Sequence, residues 1–397
     1  MASRQWVAPT QPMPEGPSRP TVALASLLAV CIPLDPLPLL SGRTIGFPFI
    51  LLLILSVTAD HLAGRRSPAP PPTFYAILTA YLCWIVSSYF WSFAPEDSFG
   101  TAAQLAIKAA MLISLSFVIP LHWRKLTGGY LIGALALAIW ILAAGNEEYA
   151  GRHTILGADE NALGMSLAVA FALVLVRLSE RRAASFVVAL GLVGIIAAAI
   201  LATGSRTGFV AMVTVVLIRI FGGRQKRQRI QLAVTLAGLS VVALVLWRLG
   251  RVPERVGALI VGGEVSDDRV SITSLYFDHP SWMLLGTGIK GDARYLELMT
   301  GQFAYVHNLY IGTWVQLGIV GLVILIAMLA SVVAQAWRSE RRDLWLAAAS
   351  PVFIYTLTLN VQTTSVYWFV VALGVAGGPA YSAIQRTETR KAVNARA

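Results

Sequence analysis

Runs of about 20 residues with almost no charge recur along the chain, and that is the length an α-helix needs to cross the hydrocarbon of a bilayer. Backbone polar groups find no partner in lipid, so only helices and closed barrels span it. The runs here are long and do not alternate apolar with polar residues, so they predict helices. About twelve spans are expected, at 21–40, 45–63, 73–91, 101–121, 127–145, 161–178, 184–203, 205–221, 231–249, 308–336, 343–361 and 365–384. The expected fold class is all-α and polytopic. It comprises a disordered lead (1–20), helices 1–9 (21–249), one large loop (250–307), helices 10–12 (308–384) and a tail (385–397).

Composition excludes the obvious alternatives. Hydrophobic residues make up 56% and charged residues 13%, against about a quarter charged in soluble domains. An ordinary soluble enzyme, a disordered protein and a nucleic-acid module are ruled out, and no nucleic-acid partner is expected. The net charge of +11 follows instead from loop placement. Arg65, Arg66, Arg124, Lys125, Arg181, Arg182, Arg224 and Arg227 fall in one set of alternate loops, with basic termini on the same side. By the positive-inside rule that side is cytoplasmic. The outer loops hold acids such as Glu96, Asp97, Glu147, Asp159 and Glu160, and the 250–307 segment. The two cysteines, Cys31 and Cys83, lie in apolar runs and imply no disulfide framework. The first span has no small-residue cleavage site and is read as uncleaved.

Basic residues on the outer side run against the orientation bias. Arg206 stands in Thr203-Gly204-Ser205-Arg206-Thr207-Gly208, at the outward N-terminus of a span. Free N–H groups and the positive dipole end there suit an anion, especially a phosphate. From Arg224 back to Arg206 the helix rises about 27 Å, which puts the guanidinium near the outer headgroups. A snorkelling arginine fits the same position. Arg269 opens an amphipathic stretch after Asp267 and Asp268, and equally fits an ion pair with either. The string from Gly286 to Lys290 and Gly291 is glycine-rich and fits a phosphate cradle or a plain turn. Arg152 and His153, before the sixth span, are candidates for a sugar cleft. Lys108, within a span, is expected to form a pair facing the bundle.

His307 and Asn308 stand at the outer start of the tenth span. The positive end of a helix dipole keeps an imidazole neutral, and a neutral imidazole can act as a general base. The tenth span measures about 45 Å from His307 to Arg338 if straight, longer than the hydrocarbon core. It should project, tilt or break, with Gly318 the expected place. No DxD motif or paired histidines appear on the outer face, so no metal or other cofactor is implied.

Together, Thr203–Gly208, Arg269, Gly286-Thr287-Gly288, His307-Asn308 and Leu317-Gly318-Ile319-Val320-Gly321 resemble the O-antigen ligase family in order and spacing. The resemblance runs from about Asn161 to the end of the tenth span. It implies a GT-C type glycosyltransferase of the bacterial inner membrane, with both termini cytoplasmic and the active site periplasmic. The implied donor is a glycan on undecaprenyl diphosphate, and the acceptor a lipid A-core sugar hydroxyl or another glycan, with membrane lipids around the site. Within the resemblance Arg206 and Arg269 hold the diphosphate and His307 activates the acceptor. Lys290 and Asn308 join Arg152 and His153 as possible cleft residues. Relatives often carry glutamate where this chain has Gln316, so no assisting carboxylate is assigned. An O-antigen or exopolysaccharide polymerase and, from another class, a transporter are the alternatives.

Overall fold

A computed structural model describes residues 16–37, 44–65, 67, 70–149, 152–154, 156–180, 184–222, 248, 268–339 and 342–376. Among these residues the chain is helical apart from one two-stranded antiparallel ribbon, β1 (Asn146–Tyr149) and β2 (Arg152–Thr154). The helices are α1 (Arg19–Cys31), α2 (Phe47–Leu62), α3 (Pro72–Ser87), α4 (Pro95–Ala144), α5 (Glu160–Glu180), α6 (Ala184–Ala202) and α7 (Arg206–Gly222). There follow α8 (Asp268–Phe277), α9 (Asp292–Thr300), α10 (Leu309–Trp337), α11 (Arg342–Thr356) and α12 (Ser365–Val375). The span expected at 231–249, residue 248 apart, lies outside the described residues, as do 1–15, 250–267 and 377–397, with most of the expected lead, the start of the expected large loop, and the tail.

Four described helical stretches are long and apolar enough to cross a membrane: Pro72–Trp91, Pro95–Ala144, Glu160–Arg177 and Leu309–Trp337. α4 holds two of the expected spans as arms that meet at His122, where φ is −126°, two residues after Pro120. Pro120 removes one hydrogen bond from the last turn of the first arm, and the break itself falls at His122. Helix starts carry their usual signals. Proline opens α1, α2, α3 and α4, while Asn308 and Thr364 cap α10 and α12.

α5 is the central helix. Residues 163–176 are buried on every face, as an all-round apolar helix requires, against α4, α6, α7 and α11. α3, by contrast, leaves most of its apolar surface uncovered by protein. The second arm of α4 meets α1 through Gly129 and Gly133. A Cβ at Gly129 would stand 2.8 Å from the Ser26 carbonyl, and one at Gly133 would overlap that of Val30. Small residues four apart let two helix backbones approach closely.

That contact holds the turn after α1, and so Asp35, against the bundle. Asp35 accepts a 2.8 Å hydrogen bond from Lys108 on α4, and its Oδ2 also accepts from the Ser365 amide and hydroxyl at the start of α12. Lys108 therefore faces the bundle in an ion pair, as expected. Cys31 is buried, whereas Cys83 is exposed on α3, on the surface that protein does not cover.

The break expected in the tenth span falls at Gly318 (φ 68°, ψ −174°). The glycine-rich segment runs alongside it. Thr287 donates its amide to the Val315 carbonyl at 2.8 Å, Ile319 donates to Met283 at 3.1 Å, and the Trp84 indole donates to Leu317 at 2.8 Å. The groups freed by the break are thus satisfied by neighbouring protein, the condition under which broken helices persist in apolar surroundings. The described part of the large segment, from residue 268, is folded as well: α8, α9 and α10 enclose a second core of Tyr276, Trp282, Tyr295, Leu296, Val306 and Val315.

Candidate functional site

At the end of the bundle where α5, α7 and α10 begin, an open cleft of about 400 Å³ is lined by Asp159, Asn161, Lys290, Asp292, Tyr305, Val306, His307, Gln316, Leu359 and Asn360. Five separate segments supply this wall. Asp159 caps α5, its side chain accepting the Asn161 amide at 2.9 Å. Lys290 and Asp292 close the glycine-rich turn, Gln316 lies about two helical turns into α10, and Leu359 and Asn360 come from the turn between α11 and α12.

His307 is exposed and immediately precedes the α10 cap. Asn308 accepts the Tyr310 and Ile311 amides at 2.9 and 3.0 Å and donates its Nδ2 to the Leu357 carbonyl at 2.9 Å. Its polar atoms are thus engaged within the fold. Asn308 fixes where α10 starts, and so where His307 stands, and it is not among the residues lining the cleft.

Arg206 is the first residue of α7 and is half-buried. Its motif has a local explanation and a connection to the cleft. Ser205 caps α7 by accepting the Gly208 amide at 3.2 Å, and Gly204 turns the chain at φ 65°. The same hydroxyl bonds Asn161 Oδ1 and the Tyr355 hydroxyl, each at 3.1 Å. On the other side of Arg206, Thr207 donates to Thr358 Oγ1 at 3.2 Å. Both neighbours of Arg206 are therefore bonded to residues in or beside the cleft wall.

The glycine-rich turn offers few free amides. Those of Gly286, Thr287, Ile289 and Gly291 donate to Trp282, Val315, the Ser88 hydroxyl and Gly288. Its glycines serve close approach to α10 and to Ser92, which is the plain-turn role. Lys290 itself has φ 62°, an unusual conformation for a side chain with a Cβ. Its ammonium sits 5.0 Å from the centre of the Tyr305 ring, within cation–π range.

Of the other expected residues, Arg269 lies in the first turn of α8, with its side chain outside the described residues. Arg152 and His153 form β2, paired with Tyr149 and Glu147, and their side chains are likewise outside the described set.

Asp292, like Leu359 and Asn360, is a cleft residue that sequence reasoning missed. It is fully buried; Oδ2 accepts the Val306 amide at 3.3 Å, and Oδ1 has no hydrogen-bond partner among the described residues. Burial pushes its carboxyl above the usual range, against the opposing pull of Gln316, the Val306 amide and Lys290. Burial likewise raises the Tyr305 hydroxyl, helped by Asp292 and Asp97. The available signal was an acid on the apolar stripe of Ala293, Tyr295 and Leu296, right after a glycine turn. Chemically, the cleft offers amide and carboxyl groups for hydroxyl-bearing ligands, one imidazole and one ammonium. No protein-family model matches the chain, and a search of curated proteins finds no match.

Proposed function

We propose that the chain is an inverting, metal-independent membrane glycosyltransferase of O-antigen ligase type, with about twelve spans and its cleft on the periplasmic face. The observation that supports this reading is the bonding of Ser205 and Thr207, the two neighbours of Arg206, to Asn161 and Thr358 at the cleft that His307 lines. An anion-binding helix start and a candidate base then border one polar opening.

In this mechanism the acceptor hydroxyl oxygen attacks the anomeric carbon of a glycan carried on undecaprenyl diphosphate. His307 takes the hydroxyl proton as the new C–O bond forms. The bond from the anomeric carbon to the diphosphate oxygen breaks, and the departing anion is held by Arg206 and Arg269. Guanidinium groups stay charged and place two N–H groups on phosphate oxygens, so they neutralise a leaving diphosphate without a metal. The acceptor is a lipid A-core sugar. The break at Gly318 is a feature transporters share, but here its exposed groups bond to Met283 and Thr287 instead of facing a ligand.

The deciding experiment is a null mutant analysed for surface glycan. Long polymer retained on the lipid carrier beside bare lipid A core supports the ligase. Single-repeat caps indicate a polymerase, and unchanged glycan with lost solute uptake indicates a transporter.

A further inference from the structure

His307 is carried on residues 302–308, which form neither helix nor strand. Backbone pairing does not fix such a segment, so side chains must. The Tyr276 hydroxyl donates to the Ala304 carbonyl at 2.8 Å, and the Val306 amide donates to Asp292 Oδ2 at 3.3 Å. Val306 is buried in the second core, while the residues on either side of it, Tyr305 and His307, are exposed and line the cleft. Extended chain points successive side chains to opposite sides. Anchoring the middle residue therefore sets both of its neighbours toward the cleft.

We propose that Asp292 is a positioning residue for His307: its Oδ2 anchors the Val306 amide and thereby fixes the segment that presents His307 and Tyr305 to the cleft. The inference rests on the proposed role of His307 as the base. Two further observations support it. Asp292 is itself rigidly placed, being fully buried at the first position of α9, behind the Lys290–Gly291 turn. Its Oδ1 is buried and makes no hydrogen bond of ordinary geometry, Gln316 being the polar side chain beside the carboxyl, and a carboxyl enclosed in this way is costly to charge. Asparagine would reproduce the shape and the acceptor, whereas alanine removes both.

The test compares D292N and D292A, purified in lipid nanodiscs, by hydrogen–deuterium exchange over residues 302–308 and by transfer kinetics. D292A should speed exchange at the Val306 amide on the order of tenfold, the scale of one lost hydrogen bond, while α10 beyond Gly318 is unchanged. Its kcat should fall on the order of tenfold or more, with acceptor KM within about threefold, because a displaced base slows chemistry more than binding. D292N should restore both. Wild-type exchange in D292A overturns the inference. So does a D292N protein that keeps Val306 protected yet transfers as slowly as D292A, since the acid then acts on substrate directly. If D292A does not fold, D292N decides alone: retained protection and kcat are expected, and loss of either refutes the anchor. If the wild-type protein transfers no lipid-linked glycan, the proposed function fails, and the exchange comparison still decides whether Asp292 anchors the segment.

Discussion

Gly286 and Gly318 meet backbone to backbone: a Cβ on Gly286 would stand 2.5 Å from the Gly318 amide nitrogen, and one on Gly318 would overlap the Leu284 carbonyl. Both also have positive φ, 84° and 68°. Gly301 has a similar φ of 75° but open space around it, so it isolates the conformational cost. G301A should cost about 1 kcal/mol. G286A and G318A add overlap to strain and should each cost about 3 kcal/mol or more. Thermal unfolding of the three variants in one detergent checks this, and equal shifts would show that the two backbones are not in contact.

Ser205 joins a helix cap to the cleft. S205A removes the acceptor for Gly208 and the bonds to Asn161 and Tyr355, with an expected loss of about 1–2 kcal/mol. Y355F leaves the cap and the Asn161 bond intact and should cost less. The comparison is again made by thermal unfolding. A larger loss in Y355F would mean that the hydroxyl of Tyr355, not the cap, holds this turn.

The parts of the fold legible in the sequence were those set by local chemistry. Apolar runs, helix-opening prolines and the length of the tenth span give the helices and the break at Gly318. The pairing of Lys108 was legible because a buried ammonium demands a partner, but its identity was not: Asp35 is 73 residues away and arrives only through the α1–α4 contact at Gly129 and Gly133. In the site, His307 and Arg206 were marked by standing at helix starts. Asp292 was not, because its importance comes from the long-range core that covers it. The glycine string fitted an anion cradle and a plain turn alike, because sequence shows glycines but not where their amides point.

The Lys108–Asp35 pair is buried, so cutting it from one side leaves a charge without its counterion. K108M should destabilise by about 3–5 kcal/mol. Adding D35N to K108M should recover part of that loss, since asparagine carries no charge and still accepts from the Ser365 amide. A double variant as unstable as the sum of its single variants would show that the two residues do not interact.

His307 is exposed, and its replacement leaves the cap on Asn308 in place. H307A should therefore fold with stability within about 0.5 kcal/mol of wild type while transfer falls by about 10²- to 10⁴-fold, the usual contribution of a general base. R206K should also transfer poorly, because an ammonium cannot fork onto two phosphate oxygens. Transfer by the wild-type enzyme should survive treatment with a chelator. A purified H307A enzyme working at the wild-type rate excludes the base role, and loss on chelation that Mg²⁺ restores excludes metal-free transfer.

Asp292 also makes stability depend on pH, with a sign opposite to that of a salt-bridged carboxylate. Burial raises its pKa in the folded protein, so between the unfolded value, about 3.9, and the raised folded value the native state holds a proton that the unfolded chain has lost. Stability falls with pH wherever the native state binds more protons. The stabilising effect is complete below the unfolded pKa and is lost as pH rises through the folded one. D292N does not titrate there and provides the reference. The unfolding free energy of wild type relative to D292N should decline as pH rises above about 4, with a limiting slope of about 1.4 kcal/mol per pH unit, and level off above the folded pKa. Paired denaturation curves from acid to neutral pH measure that difference. A difference that grows in favour of wild type with rising pH would mean that Asp292 is held as the charged carboxylate, paired with Lys290.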